Sequence, residues 1–324
     1  MKAEKAFLLS AGLGTRFKPQ SLFLPKPAMP FLNLPQAVFP AAALKLAGVS
    51  DFFYNSHHLP KELNSALSPY FKRESIFEKE ILDSAGGIAN AQSFLEDQEN
   101  FWVANGDSLV FLNDDGVLSD AYRFHLKQDA AVTMIGIQKP NEGLSGLEFD
   151  KDSVFTGISK SKKALHFIGF YIFNKSIFKH LKNEKQHIFH DVLLKNFEEK
   201  AVVFDAGNRI SWYETGNEKD FIHATSERLS DLKKQKEKSQ TYKSLKAWNA
   251  NVDGELEHFL GHKVWGSDFI PKNTINPIKD FLCIGKDTIG DFSKLNNSVL
   301  GPNLKFESNQ KFDGKVLVHS SQWT

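Results

Sequence analysis

The sequence predicts an α/β protein in which a mixed, mostly parallel sheet covered by helices is followed by a small C-terminal left-handed β-helix. Two patterns lead to this prediction. Over about the first 225 residues, short apolar runs alternate with helical stretches, as a parallel sheet requires. Beyond residue 257, short β-like triplets are separated by Gly, Asn and Asp.

The main elements of the sheet can be placed in order along the chain. Residues 5–9, 51–55, 101–104 and 131–137 are short apolar runs and are predicted to be strands. Residues 36–48 have apolar side chains at helical spacing and end at Gly48, a helix C-cap. Ligands of open α/β sheets bind at the carboxyl ends of strands. The loop after residue 9, the turn after Asn55 and the 105–108 segment are therefore expected at one functional edge.

Length and composition limit the class of protein. A chain of 324 residues has material for about two domains. Its net charge of +1 argues against a nucleic-acid partner, so a small-molecule partner is expected. A single cysteine, Cys283, excludes an intramolecular disulfide. No apolar stretch is long enough for a transmembrane helix and no signal-peptide pattern is present, so we expect a cytoplasmic protein that does not bind membranes.

A change in composition suggests the domain boundaries. Residues 226–247 are rich in lysine and lose apolar periodicity except near their start, which predicts a helix end and then a solvated linker. A membrane-surface or polyphosphate-binding patch is the alternative, but acidic residues in the same stretch dilute its charge. The predicted units are a catalytic domain at 1–228, a linker at 229–256 and a tail at 257–324.

The tail carries a short repeat. Ile284-Gly285, Ile289-Gly290 and Leu300-Gly301 recur with apolar residues between them. This spacing resembles the hexapeptide repeats of a left-handed parallel β-helix, whose coils stack with small residues at the corners. About three coils would fit. An irregular all-β tail with incidental Ile-Gly pairs is the alternative.

The first loop carries the pattern most informative about chemistry. The apolar run that ends at Leu9 is followed by Gly12 and Gly14, which can adopt backbone angles that other residues resist. Amide groups of such a turn converge on anions. Arg16 and Lys26 add fixed positive charge, so the segment is predicted to bind a triphosphate.

This string resembles the signature of the sugar-1-phosphate nucleotidyltransferases, the pyrophosphorylases that make nucleotide sugars. The resemblance rests on G-L-G-T-R at 12–16 and on Pro25-Lys26-Pro27. A P-loop would need G-x-x-x-x-G-K-[ST], and a Rossmann fingerprint would need a third glycine where Phe17 stands. The resemblance implies a Rossmann-like nucleotidyltransferase fold, and a β-helix tail occurs in several groups of the family. It implies nucleotide contacts by Leu9, Ala11, Gly12, Gly14 and Thr15.

Two further segments match the nucleotide side of the family. Residues 82–88 (LDSAGGI) are similar to its L-x-T-A-G-G loop, in which Gly86 and Gly87 would lie flat against the nucleobase. Alone, Ala-Gly-Gly would indicate only a flexible helix entry. Asn105-Gly106-Asp107 follows a predicted strand, and the resemblance implies a nucleotide contact for Asn105 and a Mg²⁺ ligand in Asp107. Asn-Gly-Asp is also ordinary turn chemistry.

The second metal ligand departs from the family. Residues 212–217 (WYETGN) align with its W-x-D-x-G-T, whose aspartate binds Mg²⁺, and Glu214 occupies that position. The extra methylene moves the carboxylate, and octahedral Mg²⁺ tolerates little misplacement. We expect an altered site rather than a lost one.

The sugar side matches less closely. Residues 146–160 resemble a family hairpin in which Gly146 and Lys160 would contact the sugar phosphate, but Ser159 replaces the usual glutamate. Lys160 is otherwise a surface lysine. Gly169 would approach the sugar or mark a strand bulge. Asn55 is placed near the sugar, and the adjacent His57 and His58 are expected at the rim of the cleft.

The expected reaction is nucleotidyl transfer with release of pyrophosphate. A sugar-1-phosphate oxygen is already an anion, so positioning and charge neutralisation replace a general base. Arg16 would hold the β- and γ-phosphates, Lys26 would bridge the α- and attacking phosphates, and Mg²⁺ would bind Asp107 and Glu214. The first guess is GTP with mannose-1-phosphate, then UTP with MurNAc-1-phosphate or glucose-1-phosphate. The alternatives are a non-catalytic nucleotide-sugar sensor and a phosphocholine acceptor. We also expect copies of this chain to associate with each other through the C-terminal tail.

Overall fold

Seven strands form one mixed sheet in the computed structural model, which describes residues 3–140, 143–195, 197–248, 251–266, 280–307 and 311–322. The sheet order is β12-β8-β11-β6-β1-β4-β5. Only β11 runs antiparallel to its neighbours, β6 and β8. The strands of the first 213 residues are β1 Lys5–Leu9, β2 Pro30–Phe31, β3 Leu34–Pro35, β4 Asp51–Ser56, β5 Ile76–Phe77, β6 Asn100–Asn105, β7 Leu109–Leu112, β8 Val132–Ile137, β9 Gly146–Phe149, β10 Phe155–Ser159, β11 His166–Asn174, β12 Ala201–Asp205 and β13 Ile210–Tyr213.

The predicted mixed, mostly parallel α/β sheet is therefore confirmed. The four strands placed from the sequence lie within two residues of their predicted bounds. The helices are α1 Val38–Leu46, α2 Pro60–Leu67, α3 Asp83–Asn90, α4 Gln92–Leu95, α5 Val117–Gln128, α6 Glu218–Gln235, α7 Gln240–Lys246 and α8 Val252–His262. No helix among the described residues has the length and apolar character needed to cross a bilayer.

The two faces of the sheet bury separate cores. Alternate residues of β1 point to opposite faces, so Ala6 and Leu8 join one cluster and Phe7 joins the other. Helix α1 covers the first face, and Gly48, at a φ of 99°, ends its last turn as the sequence predicts. Strands with helices on both faces leave their carboxyl ends as the natural place for a site.

The predicted solvated linker is wrong for the residues described between 229 and 256. Helix α6 continues through Gln235, and α7 and α8 follow it. Leu232, Leu245 and Leu256 are buried in the larger core. Isolated leucines among many lysines gave too weak a periodicity to reveal these packed faces. The domain boundaries themselves stay a prediction.

Beyond α8 the chain forms short parallel strands in separate sheets. They are β14 Val264–Trp265, β15 Leu282–Ile284, β16 Ile289–Gly290, β17 Leu295–Asn296, β18 Ser298–Leu300, β19 Lys305–Phe306, β20 Phe312–Asp313 and β21 Val316–Leu317. Leu282 pairs with Ser298, and Val299 pairs with Val316. A left-handed β-helix is not shown by these strands and stays a prediction. Part of it (267–279, 308–310 and 323–324) lies outside the described residues.

The tail packs against the first part of the chain. The Glu218 carboxylate, at the start of α6, accepts hydrogen bonds from Gln20 Nε2 (2.7 Å), the Val316 amide (3.0 Å) and Lys315 Nζ (3.1 Å). Trp265 Nε1 donates to the Leu32 carbonyl at 3.1 Å. The tail therefore supports the loop that contains Arg16 and Lys26.

Candidate functional site

Two adjoining cavities lie at the carboxyl edge of the sheet. The glycine-loop cavity, of about 360 Å³, is lined by Leu9, Ala11 and Gly12 from the loop after β1. The carboxylate cavity, of about 190 Å³, is lined by Arg16, Lys26, Asp107 and Glu214. Strands β1 and β6 are paired in parallel with Leu9 opposite Asn105, so their loops leave the same edge. Asn105 and Phe167 line both cavities.

Each cation of the carboxylate cavity is paired with a carboxylate. Lys26 Nζ lies 2.8 Å from Asp107 Oδ2, and its side chain is only 9% exposed. A buried ammonium needs such a counter-charge. Arg16 is 73% exposed and its Nη1 lies 3.9 Å from Glu214 Oε1. The four residues predicted for charge neutralisation and metal binding thus meet in one cavity, with Lys26 buried and Arg16 exposed.

The buried Gln36 connects the two carboxylate loops and was not predicted as a site residue. Its Nε2 donates to the Asp107 carbonyl and to Thr215 Oγ1, the neighbour of Glu214. Gln36 is fully buried just before α1. One polar residue at the start of an apolar helix was the signal in the sequence. Gln36 fixes the separation of the two loops.

Glu78 is a second residue that the sequence did not indicate. It is 2% exposed and lines the glycine-loop cavity. Asn55 Nδ2 donates to its Oε1 at 2.6 Å, and the Leu82 amide donates to its Oε2 at 3.1 Å. Burial raises the pKa of Glu78, and these hydrogen bonds oppose the rise. Asn55, predicted near the sugar, is buried here and also accepts from the Ser10 amide.

The predicted flat loop at 82–88 is instead the beginning of α3. Gly86 and Gly87 are buried within this helix. A Cβ on Gly86 would lie 2.1 Å from the Glu184 carbonyl, and one on Gly87 would lie 2.8 Å from Asn55 Nδ2. Close packing requires both glycines, whereas Asp83 and Ser84 of this segment line the glycine-loop cavity.

The glycines of the first loop differ from each other. Gly14 has a left-handed φ of 59°, as expected, and precedes a 3₁₀ turn that contains Thr15. Gly12 does not have a positive φ, so the expected turn conformation is wrong there. A Cβ on Gly12 would meet no atom within 4 Å. Its backbone is therefore open to the cavity.

Besides Asn55, three residues were expected at the sugar or its phosphate. Gly169 lines the carboxylate cavity at a φ of 83°, inside a bulge of β11. Gly146 packs under Leu165, whose carbonyl would lie 2.6 Å from a Cβ at that position. Lys160 is exposed after β10, and neither Gly146 nor Lys160 lines either of the two cavities. Of these three residues, only Gly169 lines a cavity of the site.

The histidines at the rim contact backbone carbonyls. His57 Nδ1 lies 3.0 Å from the Glu78 carbonyl, and His58 Nε2 lies 2.7 Å from the Ser21 carbonyl. Within the described ranges, no group of three or more His, Cys, Asp or Glu side chains could hold a metal ion. The histidines therefore fasten the loops around the cavities.

A sequence profile of the nucleotidyl transferase family matches residues 5–231, which include both cavities. The chain belongs to the nucleotidyl transferase family. Membership indicates a nucleotidyltransferase enzyme, as the sequence predicts. The family match ends within α6, before the short parallel strands begin.

Curated relatives extend the comparison. The chain is 28% identical over 251 residues to the mannose-1-phosphate guanyltransferase of Hypocrea jecorina, covering 73% of this chain and 67% of that protein. It is 28% identical over 246 residues to the protein of the same name from Schizosaccharomyces pombe, covering 72% and 66%. The chain thus spans about two thirds of the length of these relatives.

Solved structures share the fold. HddC from Yersinia pseudotuberculosis complexed with GMP-PN superposes with a TM-score of 0.58 at 22% identity, covering 69% of this chain and 99% of that one. A UDP-glucose pyrophosphorylase from Acinetobacter baumanii gives a TM-score of 0.57 at 17% identity, covering 73% and 96%. At these identities the likeness concerns the α/β fold of the family alone.

Proposed function

We propose that this enzyme transfers a nucleotidyl group from a nucleoside triphosphate to a sugar-1-phosphate, with release of pyrophosphate. The observation that carries the proposal is the carboxylate cavity, in which two cations and two carboxylates adjoin a glycine loop. This arrangement suits a reaction between two phosphate groups, because both reactants are anions that repel each other.

The two cations have different parts in this reaction. Lys26 is buried and fixed, so it is suited to bridge the α-phosphate and the attacking phosphate oxygen. Arg16 is exposed and bears a fork of donors, which suits the β- and γ-phosphates and the departing pyrophosphate. The acceptor oxygen is ionised before it attacks, so no residue need remove a proton.

Asp107 and Glu214 are the candidates to hold Mg²⁺. Both line one cavity and are 38% exposed, so their oxygens can reach a ligand there. Two carboxylates completed by phosphate oxygens and water form the kind of oxygen ligand set that Mg²⁺ prefers. A bound Mg²⁺ would supply charge neutralisation for phosphate oxygens. Gln36 would keep the two carboxylate loops at a fixed separation.

Glu78 supports GTP as the first choice of nucleotide. A buried carboxylate in the glycine-loop cavity accepts hydrogen bonds, and guanine offers adjacent N1–H and N2–H donors. Uracil offers one such donor, which keeps UTP as the second choice. Adenine and cytosine present a ring acceptor to the same position. We expect Glu78→Gln to lower the preference for GTP over UTP in a competition assay.

Mannose-1-phosphate is the first choice of acceptor, supported by the names of the fungal relatives. MurNAc-1-phosphate or glucose-1-phosphate with UTP is the second.

The proposal includes a cytoplasmic location, a left-handed β-helix in the tail and contacts between copies through that tail. The stacked short parallel strands support the β-helix, because Gly285 lies directly against Gly301.

The test is pyrophosphate release from purified protein with Mg²⁺, each nucleoside triphosphate in turn and a panel of sugar-1-phosphates and phosphocholine. Release with a single pair identifies both substrates, and Lys26→Met, which should retain little activity, serves as the comparison. Silence with every pair, together with tight binding of a nucleotide sugar by calorimetry, would replace the enzyme with a nucleotide-sugar sensor.

A further inference from the structure

The bulge of β11 places Phe167 where the two cavities meet. Between Phe167 and Tyr171 the pairing of β11 with β8 shifts, because four steps along β11 match two steps along β8. Gly169 makes the bulge possible, since a Cβ there would lie 2.4 Å from Ser108 Oγ. Ser108 Oγ also donates to the Ile168 carbonyl at 2.8 Å, which fixes the bulge against the loop of Asp107.

Aromatic neighbours hold the Phe167 ring in place. Its centroid lies 4.5 Å from that of Tyr171 and 5.4 Å from that of Phe189. The side chain is half-buried, so part of the ring stays accessible while the rest is packed. A ring that is already packed against its neighbours loses less conformational entropy than an exposed ring when a ligand packs against it.

The side of the carboxylate cavity that contains Phe167 presents aromatic rings. The sequence had predicted polar contacts to the sugar phosphate there. Lys160 and Gly146 do not line the carboxylate cavity, and Asn55 is committed to Ser10 and Glu78. The same side of the carboxylate cavity instead presents Phe167, His166 and Trp212. The His166 and Trp212 rings lie 4.2 Å apart, so they too are packed together.

We propose that Phe167 determines acceptor specificity by stacking against the ring of the sugar whose phosphate lies in the carboxylate cavity. This inference rests on the proposed function. The carbon-bound hydrogens of a pyranose face form an apolar surface that packs on an aromatic face. Specificity then depends on which sugar presents an unobstructed face to Phe167, rather than on hydrogen bonds from Lys160.

The test compares binding of nucleotide sugars with binding of the matching nucleoside diphosphates by calorimetry. The probes are GDP-mannose against GDP and UDP-glucose against UDP. In the wild type we expect the sugar to strengthen binding for one pair. Phe167→Leu should reduce that gain about 3- to 10-fold and change the diphosphate affinity by less than this, whereas Phe167→Tyr should retain the gain.

Phe155→Leu is the matched control. Phe155 packs on Phe189 at 6.1 Å in the same cluster but does not line either cavity, so its loss should leave the gain from the sugar intact. The inference is overturned if Phe167→Leu weakens diphosphate and nucleotide sugar equally, if it changes neither, or if the wild type gains nothing from the sugar. Failure of pyrophosphate release with every pair would overturn the proposed function separately, because the binding comparison does not require turnover.

Discussion

At the scale of single residues, the site is organised around two ion pairs that differ in burial and in distance. Lys26 is buried against Asp107, and Arg16 reaches Glu214 from solvent. The resemblance to the sugar-1-phosphate nucleotidyltransferases predicted all four residues, because each of them lies in a short contiguous motif. Gln36 and Glu78 were missed because single polar residues in apolar or charged surroundings acquire meaning only from what they contact in space.

Loss of the buried cation should abolish most activity. We expect Lys26→Met to lower kcat by about 10²- to 10³-fold, since a fixed positive charge next to the transferred phosphate is removed. Lys18→Met, at an exposed lysine of the same loop, is the control and should keep wild-type rates. Pyrophosphate release under saturating substrates measures the effect. Equal rates for both variants would remove Lys26 from the reaction.

Gln36 should act through the carboxylates rather than on substrate. Gln36→Leu removes the hydrogen bonds to the Asp107 carbonyl and Thr215 Oγ1. We expect activity to fall about 10- to 100-fold and the Mg²⁺ concentration for half-maximal rate to rise. Gln92→Leu, at an exposed position of α4, should change neither quantity. A lower rate with an unchanged Mg²⁺ requirement would mean that Gln36 contributes to the stability of the protein and does not position the carboxylates.

At the scale of elements, the long apolar strands and α1 could be predicted because local pattern determines them. Helix α3 was only the alternative for the Ala-Gly-Gly segment, since glycines disfavour a helix locally and the close packing of Gly86 and Gly87 selects it. The helices after Leu229 were obscured for a related reason. Their polar surface dominates the composition, and their buried leucines are too few to set a clear period.

His125 joins α5 to two strands and should make stability depend on pH. Its ring nitrogens contact Thr133 Oγ1 at 2.8 Å and Asn100 Oδ1 at 2.9 Å, and the side chain is 1% exposed. Burial lowers the pKa of His125 to about 4 from 6.5. The unfolded chain therefore binds a proton more readily, and the stability present above pH 6.5 is lost as the pH falls toward 4.

The measurement is urea unfolding at pH 7 and at pH 5. The wild type should lose about 2 kcal/mol of unfolding free energy between these values through His125 alone. In His125→Gln this part of the pH dependence should disappear, so the variant should lose correspondingly less. An equal loss in both proteins would show that other groups dominate acid sensitivity.

At the scale of the whole molecule, the tail shares a core with the sheet. Trp265, Cys283 and Val316 belong to the same buried cluster as Leu8 of β1. Cys283 is fully buried, and burial raises the pKa of its thiol well above the usual range, so the native thiol should be unreactive. A shared core favours one cooperative unfolding transition over two independent ones.

Labelling of Cys283 tests this cooperativity directly. Thiol modification across a urea series reports opening of the tail, and far-UV circular dichroism reports loss of the helices and the sheet. We expect coincident midpoints, and we expect Trp265→Ala to shift both to lower urea, since burial of the indole and its hydrogen bond to Leu32 are lost. Thiol modification at markedly lower urea than the loss of dichroism would show that the tail opens alone.

The paired charges of the carboxylate cavity have a thermodynamic consequence for how the binding of one ligand affects the affinity for another. A triphosphate that takes Lys26 and Arg16 leaves Asp107 and Glu214 without counter-ions, and a divalent cation that takes the carboxylates leaves the two basic side chains unbalanced. Either ligand alone must therefore break both ion pairs and leave one member of each pair without a partner. Together they exchange both sets of partners at once, so nucleotide and Mg²⁺ should promote each other's affinity by the same factor.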